Sequence, residues 1–374
     1  TSGGWRWSGF LLARMSPALV RRSGNQEGPG ALRLPVLCRQ RGGVGLSAII
    51  EVRGLRKEFR VARRKEGAFA ALRTLFSREF DTKVAVNDVS FTIQPGELVG
   101  YIGPNGAGKS TTIKILTGIL VPTAGEVRVR GLVPYQRRVE NARQIGVVFG
   151  QRTQLWWDLP TIESFQLLQH IYKVPKEQYQ RNMDRFRELL GLDEFLNTPV
   201  RQLSLGQRMR ADLAAALLHD PEVVYLDEPT IGLDVVAKEK IREFIRAINR
   251  ERGVTVILTT HDMQDIEKIC ERMILIDHGT VIYDGPVAQI KERFGKQRTL
   301  VVDLEPNGRE PVVDVEGAEV VRREANRFWL RFNRDELSAS DLITRVSARY
   351  AIRDLTVEEP EIEGIISRIY QEGL

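Results

Sequence analysis

Three short stretches carry residue types whose spacing can do chemistry. The first is GPNGAGKS, residues 103–110, which follows the apolar run ELVGYI. It matches G-x-x-x-x-G-K-[ST] in the strand-then-helix context that pattern requires. Glycines let the backbone fold tightly, so that several N–H groups converge on a phosphate, and the helix that follows adds its N-terminal dipole. Gly103, Pro104, Asn105, Gly106, Ala107, Gly108, Lys109, Ser110 and Thr111 are therefore the expected phosphate cradle. Lys109 would reach the outer phosphates, and Ser110 would offer its hydroxyl to Mg²⁺.

The second stretch, VVYLDEP, puts Asp227 and Glu228 at the end of an apolar run. In open α/β sheets ligands bind outside the carboxyl ends of the strands. Asp227 suits a water-mediated hold on Mg²⁺, and Glu228 suits orienting and deprotonating an attacking water. The third stretch is RQLSLGQRMRADL, residues 201–213, with no nucleophile beside a base and no cluster of metal ligands. Its Ser204-Leu205-Gly206-Gln207 reads as a capping box that starts a helix. A capped helix start with an unblocked glycine is also an anion site.

These groups need a frame to hold them. IIEVRGLRKEFRV and AVNDVSFTI read as strands, and Gln94-Pro95-Gly96 as a turn before the strand that leads to the cradle. Ile113, Leu116 and Leu120 line one stripe of the helix from Lys109. GEVRVRG, IGVVFG, EVVYL and VTVILTT are further strands, separated by helical segments, with residues 160–195 mainly helical. Such alternation implies a largely parallel sheet covered on both faces. The basic segment 62–83 interrupts the pattern, and Phe69, Leu72 and Phe76 suggest a short amphipathic helix there, solvated or touching a partner or lipid headgroups. From about residue 296 strands and helices form a smaller α+β unit.

Charge narrows the function classes. Residues 1–47 hold seven Arg, no Lys and one acid, Glu27, and so carry the whole formal net charge of +6. The remaining chain is formally neutral, which weakens the case for DNA or RNA as partner. Residues 1–47 read as a disordered basic leader, with a targeting segment as the alternative. The two cysteines, Cys38 and Cys270, make no disulfide framework. The apolar run GFLLARMSPALV is interrupted by Arg14 and too short to span a bilayer.

Together GPNGAGKS, LSLGQ and VVYLDEP resemble the nucleotide-binding subunits of ABC transporters. The resemblance implies a P-loop NTPase fold: a RecA-like core sheet with an antiparallel β subdomain and a helical subdomain at about 152–220. It sets an ATP-binding domain at 48–290 and leaves 296–374 as an accessory α+β domain. It also implies roles. Gln151 would sense Mg²⁺ and the γ-phosphate, and His261 would contact that phosphate. Catalysis would rest on Glu228, His261 and Gln151, and Mg²⁺ on Ser110, Gln151 and Asp227. An adenine-stacking aromatic is expected upstream, with Phe59 chosen and Phe80 the alternative. Ser204, Gly206, Gln207 and Asp234 would act in trans, on ATP held by a second copy in a homodimer. The usual family pattern is Leu-Ser-Gly-Gly-Gln, and Leu205 replaces its first glycine here.

The same resemblance implies integral membrane permeases as further partners. It places the chain peripherally on the cytoplasmic face of the cell (inner) membrane and gives it ATP hydrolysis coupled to transport. GQRTQLWWDLP, DEPTIGLD and the tail with DLTVEEPEIEGIISRIY resemble bacterial exporter ATPases of the drug- and polysaccharide-export type. Trp156 and Trp157 either form part of a groove for a permease helix or pack the helical subdomain. The rival reading is an ATP-switched ABC ATPase linked to repair or ribosomes. Against it stand the single cassette, the neutral folded region and the absence of a long coiled coil.

Overall fold

Two antiparallel strands, β1 (Ile50–Ala62) and β2 (Phe80–Ile93), pair along most of their length, and β1 also pairs with β4 (Ala124–Val129). The structure is a computed structural model that describes residues 48–62, 80–150, 152–305 and 313–372. Between β2 and β4 the chain makes β3 (Leu98–Ile102) and the helix α1 (Lys109–Leu116). After β4 come α2 (Arg138–Ala142), β5 (Ile145–Phe149), α3 (Thr161–Tyr172), α4 (Lys176–Leu190) and α5 (Leu205–Leu217). Then β6 (Val223–Asp227), α6 (Val235–Arg252), β7 (Thr255–Thr259), α7 (Met263–Ile269), β8 (Arg272–Asp277), β9 (Thr280–Pro286) and α8 (Val287–Phe294) complete the cassette.

The central sheet has six strands in the order β5-β6-β7-β3-β8-β9, parallel except for the edge strand β9. Every residue of β3 and β7 is buried, as expected of parallel strands covered on both faces. One face packs against α1 and the antiparallel sheet through Tyr101, Ile113 and Tyr225. The other packs against the helices through Phe165, Phe186 and Phe244. The alanines of α5 let that helix approach β5 closely: a Cβ on Gly146 would sit 2.4 Å from the Ala216 carbonyl oxygen.

The C-terminal strands β10 (Gln297–Leu304), β11 (Ala318–Glu324), β12 (Arg327–Asn333) and β13 (Ile352–Glu358) form an antiparallel sheet in the order β11-β12-β10-β13. The helix α9 (Ala339–Ser347) covers it through Leu342 and Val346, which share a core with Leu300, Leu330 and Phe332. The last helix, α10 (Ile362–Glu372), belongs elsewhere. Its Ile362, Ile365, Ile366 and Ile369 fall on one stripe and join the cassette core, where α10 meets α7 and α8. No helix among the described residues is long and apolar enough to cross a membrane.

Two expectations meet their limits in this frame. The helix expected around Phe69, Leu72 and Phe76 falls outside the described residues, and Ala62 and residues 80–83, which bracket it, lie in strands β1 and β2. The leader 1–47 likewise lies outside them.

Candidate functional site

The cradle is built where β3 stops and α1 begins. Gly103 sits tight against β8: a Cβ there would lie 2.4 Å from the Ile276 carbonyl oxygen. Gly108 takes φ +105, and a Cβ on it would lie 2.4 Å from the Ala85 carbonyl oxygen. Only glycine meets both demands. Pro104, Asn105 and Gly106 form an exposed crest, whereas Ala107, Gly108 and Lys109 are buried beneath it. The Lys109 ammonium donates to the carbonyls of Gly103 and, at 3.1 Å, Pro104. Burial lowers its pKa, opposed by the nearby carboxylates of Glu228 and Asp227. Thr111 is half-buried on the first turn of α1.

Asp227 ends β6 beside this loop. Its Oδ1 accepts from the Thr259 hydroxyl and lies 3.4 Å from the Ser110 hydroxyl. Glu228 follows with φ +55, a left-handed backbone that is uncommon outside glycine. Its N–H donates to the Thr259 carbonyl at 2.9 Å, which ties the strained residue to the neighbouring strand β7. The Glu228 carboxylate then stands 3.6 Å from Nδ1 of His261, just past the end of β7. Asn105, Ser110, Asp227, Glu228 and His261 line one cavity of about 950 Å³. Arg152 also lines it and was not singled out from sequence, although it adjoins Gln151.

The donor set suits a hard cation. Ser110 and Asp227 supply oxygens within reach of one another, the pairing by which Mg²⁺ is held through one or two carboxylates and substrate phosphates. Among the described residues no group of three or more His, Cys, Asp or Glu forms a metal cage. Gln151 lies outside the described residues. Phe59 is half-buried on β1 under the Lys57 ammonium, 5.2 Å from its ring centroid, and does not line the cavity. The side chain of Phe80 lies outside the described residues.

Ser204, Gly206, Gln207 and Asp234 gather around a second cavity of about 310 Å³. Two helix N-termini meet there. Ser204 caps α5 by accepting from the Gln207 N–H at 3.2 Å, while the Gln207 side chain accepts from the Ser204 N–H at 3.0 Å. Asp234 caps α6 by accepting from the Ala237 N–H at 2.8 Å. Arg210 and Lys240 add positive charge to the lining. Leu205, the departure from the family pattern, reaches over the α6 entrance: a Cβ on Gly232 would lie 3.1 Å from its Cδ2. The two cavities share no lining residue.

A buried network joins the loops that flank both cavities. Arg242 on α6 pairs with Asp265 on α7, and both are buried. The hydroxyls of Thr230 and Thr260 donate to the same Asp265 carboxylate. Lys238 pairs with Asp262 at 2.6 Å beside them. The segment leading to Asp234 and the turn holding His261 are thus fastened to one ion pair. Sequence reading missed this network, because Arg242 and Asp265 are separated by a whole strand and look like solvated helix residues.

Comparison with known proteins agrees with this architecture. Residues 86–231 match the family described as ABC transporter. The chain is 34% identical over 220 residues to the ABC transporter ATP-binding protein NatA of Bacillus subtilis (strain 168), covering 58% of this chain and 89% of that protein. It is 37% identical over 221 residues to the Nod factor export ATP-binding protein I of Rhizobium leguminosarum bv. viciae, covering 59% and 70%. Among solved structures it resembles the ATP-binding cassette MJ0796, a dimer in a post-hydrolysis state bound to ADP and Pi. That match has a TM-score of 0.53 and 28% identity and covers 64% of this chain and 98% of that one. The chain belongs to the ATP-binding proteins of the ABC transporter family.

Proposed function

We propose that two copies of this chain clamp ATP between them, each completing the other's reaction centre, and that closure drives separately encoded membrane permeases. The observation that carries the reading is the split between the two cavities. Lys109, Ser110, Asp227, Glu228 and His261 line or flank one, while the helix N-termini at Ser204 and Asp234 line the other. Phosphoryl transfer needs positioning and charge stabilisation more than covalent chemistry. A site divided in this way makes hydrolysis depend on dimer closure.

Within one copy the cradle, residues Gly103 to Thr111, binds the phosphates, and Lys109 turns its ammonium to the outer ones. Glu228 takes the proton of the attacking water, and His261 beside it orients the carboxylate and the γ-phosphate. Ser110, Asp227 and Gln151 would hold Mg²⁺, which supplies charge neutralisation on the phosphates. The partner copy contributes Ser204, Gly206 and Gln207 through the N-terminus of α5, with Asp234 at the crossing loop. Phe59, on β1 and outside the lining of the 950 Å³ cavity, remains the choice for the adenine.

The exporter branch is supported by the likeness to the Nod factor export protein. Trp156 and Trp157 are 39% and 50% exposed on the helical side, which fits them to receive a short helix of the permease. The chain then sits at the cytoplasmic face of the inner membrane, held by that contact. Residues 296–374 serve as an accessory domain that supports dimer or permease contacts, fastened to the cassette by α10. Nucleic acid is not among the proposed partners.

Complementation tests the division of labour. Glu228→Gln and Gly206→Glu chains should each hydrolyse little ATP alone. Mixed, they should regain activity, because one of the two sites then joins an intact Glu228 to an intact Gly206. A mixture as inactive as its parts, or full activity from a monomer, overturns the reading.

A further inference from the structure

The helix α5 grips the segment that follows Gln151 at two points on one face. Asp212 is only 4% exposed. Its Oδ1 accepts from the Thr153 hydroxyl at 2.8 Å and from the Gln154 N–H at 3.1 Å. The Gln154 side chain donates in turn to the Asp212 carbonyl at 3.2 Å. The Thr153 hydroxyl passes the restraint along by accepting from the Leu155 N–H at 3.1 Å. One turn earlier on the same helix, the Arg208 guanidinium lies 5.8 Å from the centroid of the Trp157 ring. Residues four apart share a helix face, so Arg208 and Asp212 hold the two ends of Thr153–Trp157.

A buried carboxylate is a costly way to fill space unless it is well bonded. Asp212 forms no ion pair within 4 Å among the described contacts, and its bonds go to the segment 153–154 alone. Its contribution is geometric. The grip lies between Trp157, which faces solvent, and the helix whose first residues are the Ser204 capping box.

We propose that Asp212 and Arg208 are positioning residues that lock Thr153–Trp157 to α5, so that the segment after Gln151 and the Ser204–Gln207 turn move as one body. The inference rests on the proposed function, since that reading gives the Ser204–Gln207 turn its nucleotide. A partner helix seated on the tryptophans then loads the same rigid piece that meets the ATP of the second copy. Permease engagement and completion of the reaction centre become one motion.

Two readouts on the purified full chain test this, one of them independent of hydrolysis. In Asp212→Ala, amide hydrogen exchange at 154–157 should speed up, and kcat for ATP should fall about ten- to hundredfold, the usual effect of a misplaced group. KM for ATP should stay within about twofold, because the cradle is untouched. Asp212→Asn should restore both, since both donors converge on Oδ1, an oxygen that Asn retains. Unchanged exchange in Asp212→Ala overturns the lock. Faster exchange with unchanged kcat overturns its role in positioning, and so does a fall in Asp212→Asn equal to that in Asp212→Ala. A wild-type chain that does not hydrolyse ATP overturns the proposed function instead, while the exchange pattern still decides the lock.

Discussion

The carboxylate of Glu228 stands 3.6 Å from Nδ1 of His261, although the two residues lie on different strand ends. Glu228 reaches this position from a left-handed backbone, φ +55, pinned by the Thr259 carbonyl. The pinning matters because a base must be placed before its pKa is useful. Replacing Glu228 with Gln keeps the shape and removes the proton acceptor. Steady-state hydrolysis should fall ~10²–10⁴-fold, while affinity for a nonhydrolysable ATP analogue is retained. Unchanged turnover would remove Glu228 from the chemistry.

The glycines of the cradle make separable predictions. Gly106 has φ +86 with nothing within 4 Å of a built Cβ, so Gly106→Ala meets backbone strain alone. Gly108 has φ +105, and its Cβ would collide with the Ala85 carbonyl oxygen at 2.4 Å. Gly106→Ala should destabilise by roughly 1–2 kcal/mol, and Gly108→Ala by more, with the β2 edge displaced. Thermal melts of the two variants measure the difference. Equal Tm values would mean that the contact with β2 has no energetic weight.

How much of this was legible in the sequence follows from how local each feature is. The strand, cradle and helix around Gly103–Ser110 are consecutive, so their pattern declared itself. Asp227 ends β6 and His261 lies just past the end of the adjacent parallel strand β7, and that topology brings them to one rim. The Ser204–Gln207 capping box needed only four residues. By contrast, the buried side chains Asp212, Arg242 and Asp265 look like ordinary charges on helix faces. Their partners lie tens of residues away, and no local pattern names them. EIEGIISRIY reads as a helix of the small C-terminal unit, and nothing local says that its isoleucines pack on the cassette instead. Phe59 was chosen by its upstream place in the chain, and spacing alone could not say which cavity β1 would approach.

The Arg242–Asp265 pair predicts an asymmetry. Asp265 is fully buried, and Arg242 is 3% exposed. Asp265→Ala leaves a buried guanidinium without its main partner and takes away the acceptor of the Thr230 and Thr260 hydroxyls. Breaking such a pair from one side commonly costs about 3–5 kcal/mol. Replacing both, as Arg242→Met with Asp265→Leu, should recover most of that loss in urea unfolding. Hydrolysis by the double variant should stay low even so, because the turns holding Asp234 and His261 lose their common anchor. Full activity in the stable double variant would show that the anchor serves stability alone.

The final prediction concerns pH and Asp212. Burial raises its carboxyl pKa from 3.8 to about 6, against the hydrogen bonds from Thr153 and Gln154 and the charge of Arg208. The native state therefore binds this proton more tightly than the unfolded chain does. Stability from this group is complete below about pH 4 and is lost as pH rises through about 6. Above that, the buried charge costs on the order of 3 kcal/mol. Asp212→Asn keeps Oδ1 and removes the charge, so it should raise Tm at pH 8. The gain should shrink to about half in free energy at pH 5, where the wild-type carboxyl is mostly protonated in the fold. Melts of both proteins across that range measure the slope, and a gain independent of pH would place the effect in packing rather than in ionisation.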